Sequence, residues 1–183
     1  MLAGEPTTFA GIVIPTSSPL FLAILAIHVP AGLVSVASGA AAMLSPKGRG
    51  RHSRFGTVYF WSLAVMAATM SALSVFRWSE DYPLFALGAA AFASAWLARR
   101  AIRLQGPPAA APHLTGMGAS YVLMLTAFYV DNGKFLPGWK ALSPIAYWLI
   151  PGALGVPLIV YTLLRHPLLR RRREAVPTAP RAP

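Results

Sequence analysis

Four histidines and no cysteine set the chemical repertoire of this 183-residue chain. Without thiols there is no disulfide, no thiolate ligand and no cysteine nucleophile, so any metal or haem must be held by His, Met, Tyr or carboxylate. His28 lies inside "LAIHVPAGLVSVASGAAAML", residues 25–44, an apolar run free of acid, lysine and arginine. His52 follows the basic turn "SPKGRGR", His113 follows Arg99, Arg100 and Arg103, and His166 follows the last apolar stretch. In lipid, an ionisable ring within a span is a functional hypothesis by default. The plainer expectation for His28 is a neutral ring that hydrogen-bonds a neighbouring helix; the sharper ones are a cofactor ligand or a proton-handling group.

On a helix, His28, Gly32, Ser35 and Gly39 recur at steps of four, three and four and form one small, polar stripe. Small residues let helix backbones approach in lipid, so this stripe should face into a bundle. Pro30 removes a backbone hydrogen bond and is expected to leave a carbonyl near position 26 free for a ring donor or water. Asp131 is the second proton-handling candidate beside His28. It lies 18 residues, five helical turns, beyond His113, which puts the two on one face at opposite ends of a helix. The sequence Asp131-Asn132-Gly133 also reads simply as the end of that helix at the outer surface.

The elements that carry these residues are apolar. Hydrophobic residues make up 56% of the chain and charged ones 11%, against roughly 25% charged in soluble domains, which calls for an apolar solvent. Five apolar stretches, about 20–44, 57–76, 83–98, 114–130 and 145–164, each approach the roughly 17–25 residues needed to cross the hydrocarbon core. Open strands would leave backbone groups unpaired there, and the alternation of a membrane barrel is missing, so helices are expected. The expected fold is all-α: an integral membrane bundle of five transmembrane helices over residues 19–166, with 1–18 as an extracytoplasmic segment and 167–183 as a basic, Pro/Ala-rich tail without fixed structure. Residues 1–18 contain Glu5 and no basic residue, unlike the start of a signal peptide, and the segment is expected to be retained.

Basic residues orient the bundle. Lys47, Arg49, Arg51 and Arg54 lie in the first connection, Arg99, Arg100 and Arg103 in the third, and Arg165, Arg170, Arg171, Arg172, Arg173 and Arg181 at the end. The second and fourth connections hold Arg77, Lys134 and Lys140 with Glu80, Asp81 and Asp131. This alternation predicts an outside amino terminus and a cytoplasmic carboxyl terminus in a bacterial inner membrane. The net charge of +11 sits in short runs between apolar stretches, so nucleic acid is not an expected partner. The expected partner is the bilayer, with anionic lipid at Arg170, Arg171, Arg172 and Arg173, alongside a possible membrane-protein partner or homo-oligomer.

His52 and His113 occupy similar contexts: a small-residue helix, a basic turn, a histidine, then glycine and tyrosine on the returning helix. A parallel repeat of two hairpins about the membrane normal would bring the two rings face to face. The surrounding arginines repel a bare cation and welcome an anion. Haem b carries two propionates, and a bis-His haem at the inner interface, with Arg54 among its clamps and its ring against Phe55, Tyr59, Met117 or Tyr121, is the leading cofactor candidate. Quinone or a phospholipid headgroup would fit the same place. The site candidates are therefore His52 and His113 as haem-iron ligands, with His28, Tyr59 and Arg54 as supporting cofactor contacts. A two-haem arrangement needs paired histidines at two depths, and His28 alone lies well inside a span.

The segments "HVPAGLVSVASGAAAML", "RHSRFGTVYFW" and "HLTGMGASYVLM" resemble a bacterial membrane-protein family known as domain of unknown function 2306. The family pattern maps onto His28, Gly39, His52, Gly56, Tyr59 and His113, over roughly residues 20–165. Ser53 stands where the family usually has arginine, and Gly116 where it often has tryptophan. The resemblance implies a multi-helix membrane protein and no particular activity.

No phosphate-binding glycine loop, HExxH, SxxK or GxSxG context is present. The leading expectation is thus a non-catalytic helical membrane protein. The alternatives are a membrane redox protein binding haem b or quinone through His52 and His113, which would make it an oxidoreductase component, and a proton or small-solute carrier using His28 and Asp131.

Overall fold

The computed structural model describes residues 7–9, 12–14, 18–47 and 50–166. Five helices follow one another: α1 (Pro19–Leu44), α2 (Arg51–Phe76), α3 (Trp78–Gln105), α4 (Ala110–Asn132) and α5 (Pro144–Arg165). Two short strands precede them, β1 (Thr7–Phe9) and β2 (Ile12–Ile14), paired antiparallel with Thr7 opposite Ile14. The expected all-α architecture therefore holds from residue 19 onward, and the leading segment adds a small antiparallel pair of β-branched and aromatic residues.

Proline and glycine punctuate the helices. Pro19 and Pro144 open α1 and α5, where a missing N–H costs nothing because the first turn has no acceptor for it. Gly106 closes α3 at φ 63°, a left-handed conformation that β-carbon sterics disfavour in other residues. The helices outrun the expected apolar stretches at their ends. α2 begins at Arg51 rather than near 57, and α3 runs from 78 to 105 rather than from 83 to 98. Arginine is a good helix former, so basic turns extend a helix past its apolar part.

Three helices, α1, α2 and α5, are long and apolar enough to cross a membrane. In α1 and α5 most of that apolar surface faces outward, with Leu33 and Leu154 about as exposed as Leu20 and Leu158. Helices α3 and α4 are also long, at 28 and 23 residues, but carry more small and polar residues. Their composition suits their place between neighbours. On α3, Ala91, Ala95 and Ala98 are buried at steps of four and three, a flat inner stripe. Against it lie Phe60 and Leu63 of α2 and Met124 of α4, with Tyr59 completing the core.

Glycines mark the closest approaches. A β-carbon on Gly116 would meet the Ala98 side chain at 2.7 Å and the Ser94 carbonyl oxygen at 2.9 Å, so α4 lies directly on α3. One on Gly39 would meet the rings of Tyr121 and Tyr59, and one on Gly118 would meet Ile159 of α5. Since backbone cannot swing aside, Gly116→Ala should destabilise the bundle by about 1–3 kcal/mol. Gly88→Ala, whose new methyl would lie 3.9 Å from Met70, should be neutral or stabilise by up to about 1 kcal/mol. Unfolding of the two variants in detergent, followed by helical circular dichroism, checks this ordering.

Candidate functional site

A ladder of polar contacts joins α1 to α2. His28 Nδ1 lies 2.8 Å from Thr69 Oγ1, Ser35 Oγ donates to Ser62 Oγ at 2.8 Å, and His52 Nδ1 lies 2.8 Å from the Ala42 carbonyl oxygen. The α1 members are seven residues, two helical turns, apart, which keeps all three rungs on the α2 side. The stripe of His28, Gly32, Ser35 and Gly39 thus faces into the bundle, with Gly32 against Met66.

Hydrogen bookkeeping fixes who donates. Thr69 Oγ1 gives its one proton to backbone of its own helix, with the Val65 oxygen at 2.8 Å. It can then only accept from His28, so Nδ1 carries the proton and Nε2 is bare in the neutral ring. The contact goes across to α2 rather than back to a carbonyl near residue 26 freed by Pro30, so the expected role for that carbonyl is not met by the ring.

His52 and His113 meet. Their ring centres are 6.4 Å apart and their planes cross at 81°. His52 lies in the first turn of α2 and His113 in the first turn of α4, so the two chain-distant helix starts converge on one spot. Each ring is held by a backbone carbonyl: His52 Nδ1 by Ala42 and His113 Nδ1 by Ala98 at 3.2 Å. A carbonyl oxygen has no proton to give, so both Nδ1 atoms donate, and in the neutral form of each ring the lone pair is on Nε2. A backbone oxygen on Nδ1 is also the usual second contact of a metal-ligating imidazole. For His52 the bond has a structural use as well, because Ala42 lies in the last turn of α1 where carbonyls lack intrahelical partners.

Two turns further along both helices, Tyr59 and Ser120 form a buried bond of 2.8 Å. Ser120 donates to the Met117 oxygen at 2.7 Å, so the Tyr59 hydroxyl is the donor to Ser120. Tyr59 is 2% exposed and belongs to the core, which makes it a spacer beneath the histidines rather than an open cofactor contact. Its ring centre is 6.0 Å from that of Tyr121, whose hydroxyl donates to the Val36 oxygen at 3.1 Å. The two histidines meet with their planes crossed rather than face to face, two helical turns from the Tyr59–Tyr121 pair.

The remaining candidates lie apart from this spot or on its rim. Arg54 and Phe55 are exposed on the first turn of α2, and the Arg99 guanidinium sits 4.6 Å above the Phe60 ring. Met117 and Tyr121 pack at the edge of the core. Asp131 is exposed near the end of α4, where Asn132 Nδ2 donates to its Oδ2 at 3.2 Å, and its charge reaches His28. Gly133 has φ −54°, so it is not a left-handed cap; the Tyr147 ring occupies the space of its missing β-carbon. Nearby, Tyr129 stacks on Trp139 with centres 4.0 Å apart. His166 follows α5 with its Nδ1 buried and, among the described residues, without a hydrogen-bond partner. Arg49 and Arg170, Arg171, Arg172 and Arg173 lie outside the described residues, and with them the expected anionic-lipid contact.

Sequence reasoning passed over Thr69, Ser62 and Ser120, the hydroxyls that receive His28, Ser35 and Tyr59. Their signal was present: Ser62 and Thr69 stand seven residues apart on α2, matching His28 and Ser35 on α1. Comparison with family models, with curated proteins and with solved structures gave no match.

With ring nitrogens labelled, nitrogen NMR of the detergent-solubilised chain without added metal should show His52 and His113 each with a protonated Nδ1 and an unprotonated Nε2. Protonated Nε2 and bare Nδ1 at both rings would remove the lone-pair geometry described above.

Proposed function

We propose that this chain is a multi-pass bacterial inner-membrane protein whose working centre is the His52–His113 pair, a metal-coordinating site of the membrane redox class. The supporting observation is the convergence of two imidazoles from distant helix starts at 6.4 Å, each anchored through Nδ1 with Nε2 free. Packing alone asks each histidine to find a partner, and each has one. It does not ask two imidazoles from distant helix starts to meet at a junction rich in arginine. The lone pairs also sort the ligands. A quinone offers carbonyl acceptors and would find no donor on the two Nε2 atoms of neutral rings, whereas a metal, or the hydroxyls of a quinol, would find acceptors there.

The same proposal has five spans, with the amino terminus outside and the histidine pair at the cytoplasmic end. It is supported by the alternating basic connections and by five consecutive long helices, three of them apolar enough to span without help from neighbours. Membership of the family of unknown function 2306 is part of the proposal and rests on His28, Gly39, His52, Gly56, Tyr59 and His113.

Protein purified from a host supplied with iron and haem precursor should carry metal near one equivalent per chain by elemental analysis, with His52→Ala and His113→Ala each losing most of it. Retention of full metal content by both variants, with their helical signal intact, would overturn the centre. Topology is checked separately with reporters. Green fluorescent protein fused after residue 166 should fluoresce, and alkaline phosphatase fused at residue 136 should be active; the opposite pattern would reverse the orientation.

A further inference from the structure

We infer that the group held by this pair is a flat iron tetrapyrrole with His52 and His113 as its two axial ligands, rather than a bare cation; the inference rests on the metal-coordinating centre proposed above. Distance is the first argument. With metal–nitrogen bonds near 2.0–2.1 Å, two imidazoles on opposite sides of one metal have ring centres about 6 Å apart, while a tetrahedral pair has them about 5 Å apart. The observed 6.4 Å matches the opposite-sides arrangement, and planes crossed at 81° are compatible with axial imidazoles turned to perpendicular orientations.

Opposite ligands leave an equatorial plane to be filled. Among the described residues no group of three or more His, Asp or Glu side chains comes together, so those residues do not supply the equatorial donors from that set. A tetrapyrrole brings four nitrogens of its own. Space is the second argument. Gly56 lies one helical turn from His52, and a β-carbon there would meet nothing within 4 Å. Gly39, Gly116 and Gly118, by contrast, are each explained by an atom already in the way. Gly152 in α5 is likewise open, but of the two mid-helix glycines with nothing within 4 Å, Gly56 is the one beside the histidine pair, where a planar ring edge would have room.

Charge is the third. Arg51 and Arg54 flank His52, and Arg99 is within electrostatic reach of His113. Among the described residues the ion pair found is Arg77–Glu80, on the α2–α3 connection at the opposite end of α2 from His52. Among the described residues the basic rim has no carboxylate within ion-pair distance, and two propionates would complete it. With both axial positions taken by protein, the iron would have no open site, which suits binding without oxygen chemistry.

The test uses full-length protein purified in detergent from a haem-limited host, titrated separately with hemin and with Cu(II) alone. Hemin should bind one per chain and give the absorption of six-coordinate low-spin iron, with a large-g low-spin resonance as expected for perpendicular axial planes. His113→Ala should lose that spectrum. Gly56→Leu should weaken hemin at least tenfold and Cu(II) by a much smaller factor, because the leucine fills the space beside His52 while both imidazoles remain. Should Gly56→Leu fail to fold, hemin dimethyl ester on the native chain replaces it and should bind at least tenfold more weakly than hemin. Cu(II) bound through both histidines with no hemin binding would overturn the tetrapyrrole and leave the metal centre standing. Binding of neither would overturn both. Hemin bound equally well by folded Gly56→Leu would overturn the placement of the ring at Gly56.

Discussion

In a chain with this much apolar surface, each hydroxyl and imidazole within the bundle has to find its partner in protein. The described residues meet that constraint in one repeated way. Ser62, Thr69 and Ser120 each spend their single proton on a carbonyl three or four residues back in their own helix. Each oxygen is thereby left as an acceptor for the next helix, and the donors are Ser35, His28 and Tyr59 respectively. Direction is fixed by this arrangement: reversing any one rung would strand a proton or a lone pair in a medium with no water to take it.

The histidines at the basic end use the same economy with different acceptors. Ala42 offers a carbonyl left over at the end of α1, whereas Ala98 lies well inside α3 and accepts from His113 in addition to its own ladder bond. Both choices spend Nδ1 and spare Nε2. Had either ring been anchored by a serine or threonine hydroxyl free to donate, its tautomer would be open. Backbone oxygen removes that freedom, and the pair presents two lone pairs whichever neighbour side chains rearrange.

What could be read ahead of the fold followed periodicity. The His28, Gly32, Ser35, Gly39 stripe was visible because a helix repeats every 3.6 residues and the stripe is small on an otherwise bulky helix. The meeting of His52 with His113 was also readable, since two similar turn contexts implied two similar hairpins. Helix ends were less legible, because an apolar count stops at the first arginine and a helix does not. The hairpin at Thr7–Phe9 and Ile12–Ile14 escaped for a related reason: its six residues are too few for a periodic signal, although both runs are β-branched or aromatic and are separated by Ala10 and Gly11. Tyr59 was taken for a cofactor contact because it lies near His52 in sequence, but two helical turns carried it into the core.

Those two turns decide how firmly the histidines are held. Tyr59 stands seven residues from His52 on α2, and Ser120 seven from His113 on α4, so the buried Tyr59–Ser120 bond is a rung at the same depth on both helices. Neither helix has a proline in its interior, whereas α1 carries Pro30 and α5 carries Pro151 and Pro157. Interior prolines thus fall in α1, α3 (Pro83) and α5, and the pair rides on the two helices that have none. A rigid rung below and unbroken helices above translate one hydroxyl contact into the separation of the two rings, which is what a coordination site needs before any ligand arrives.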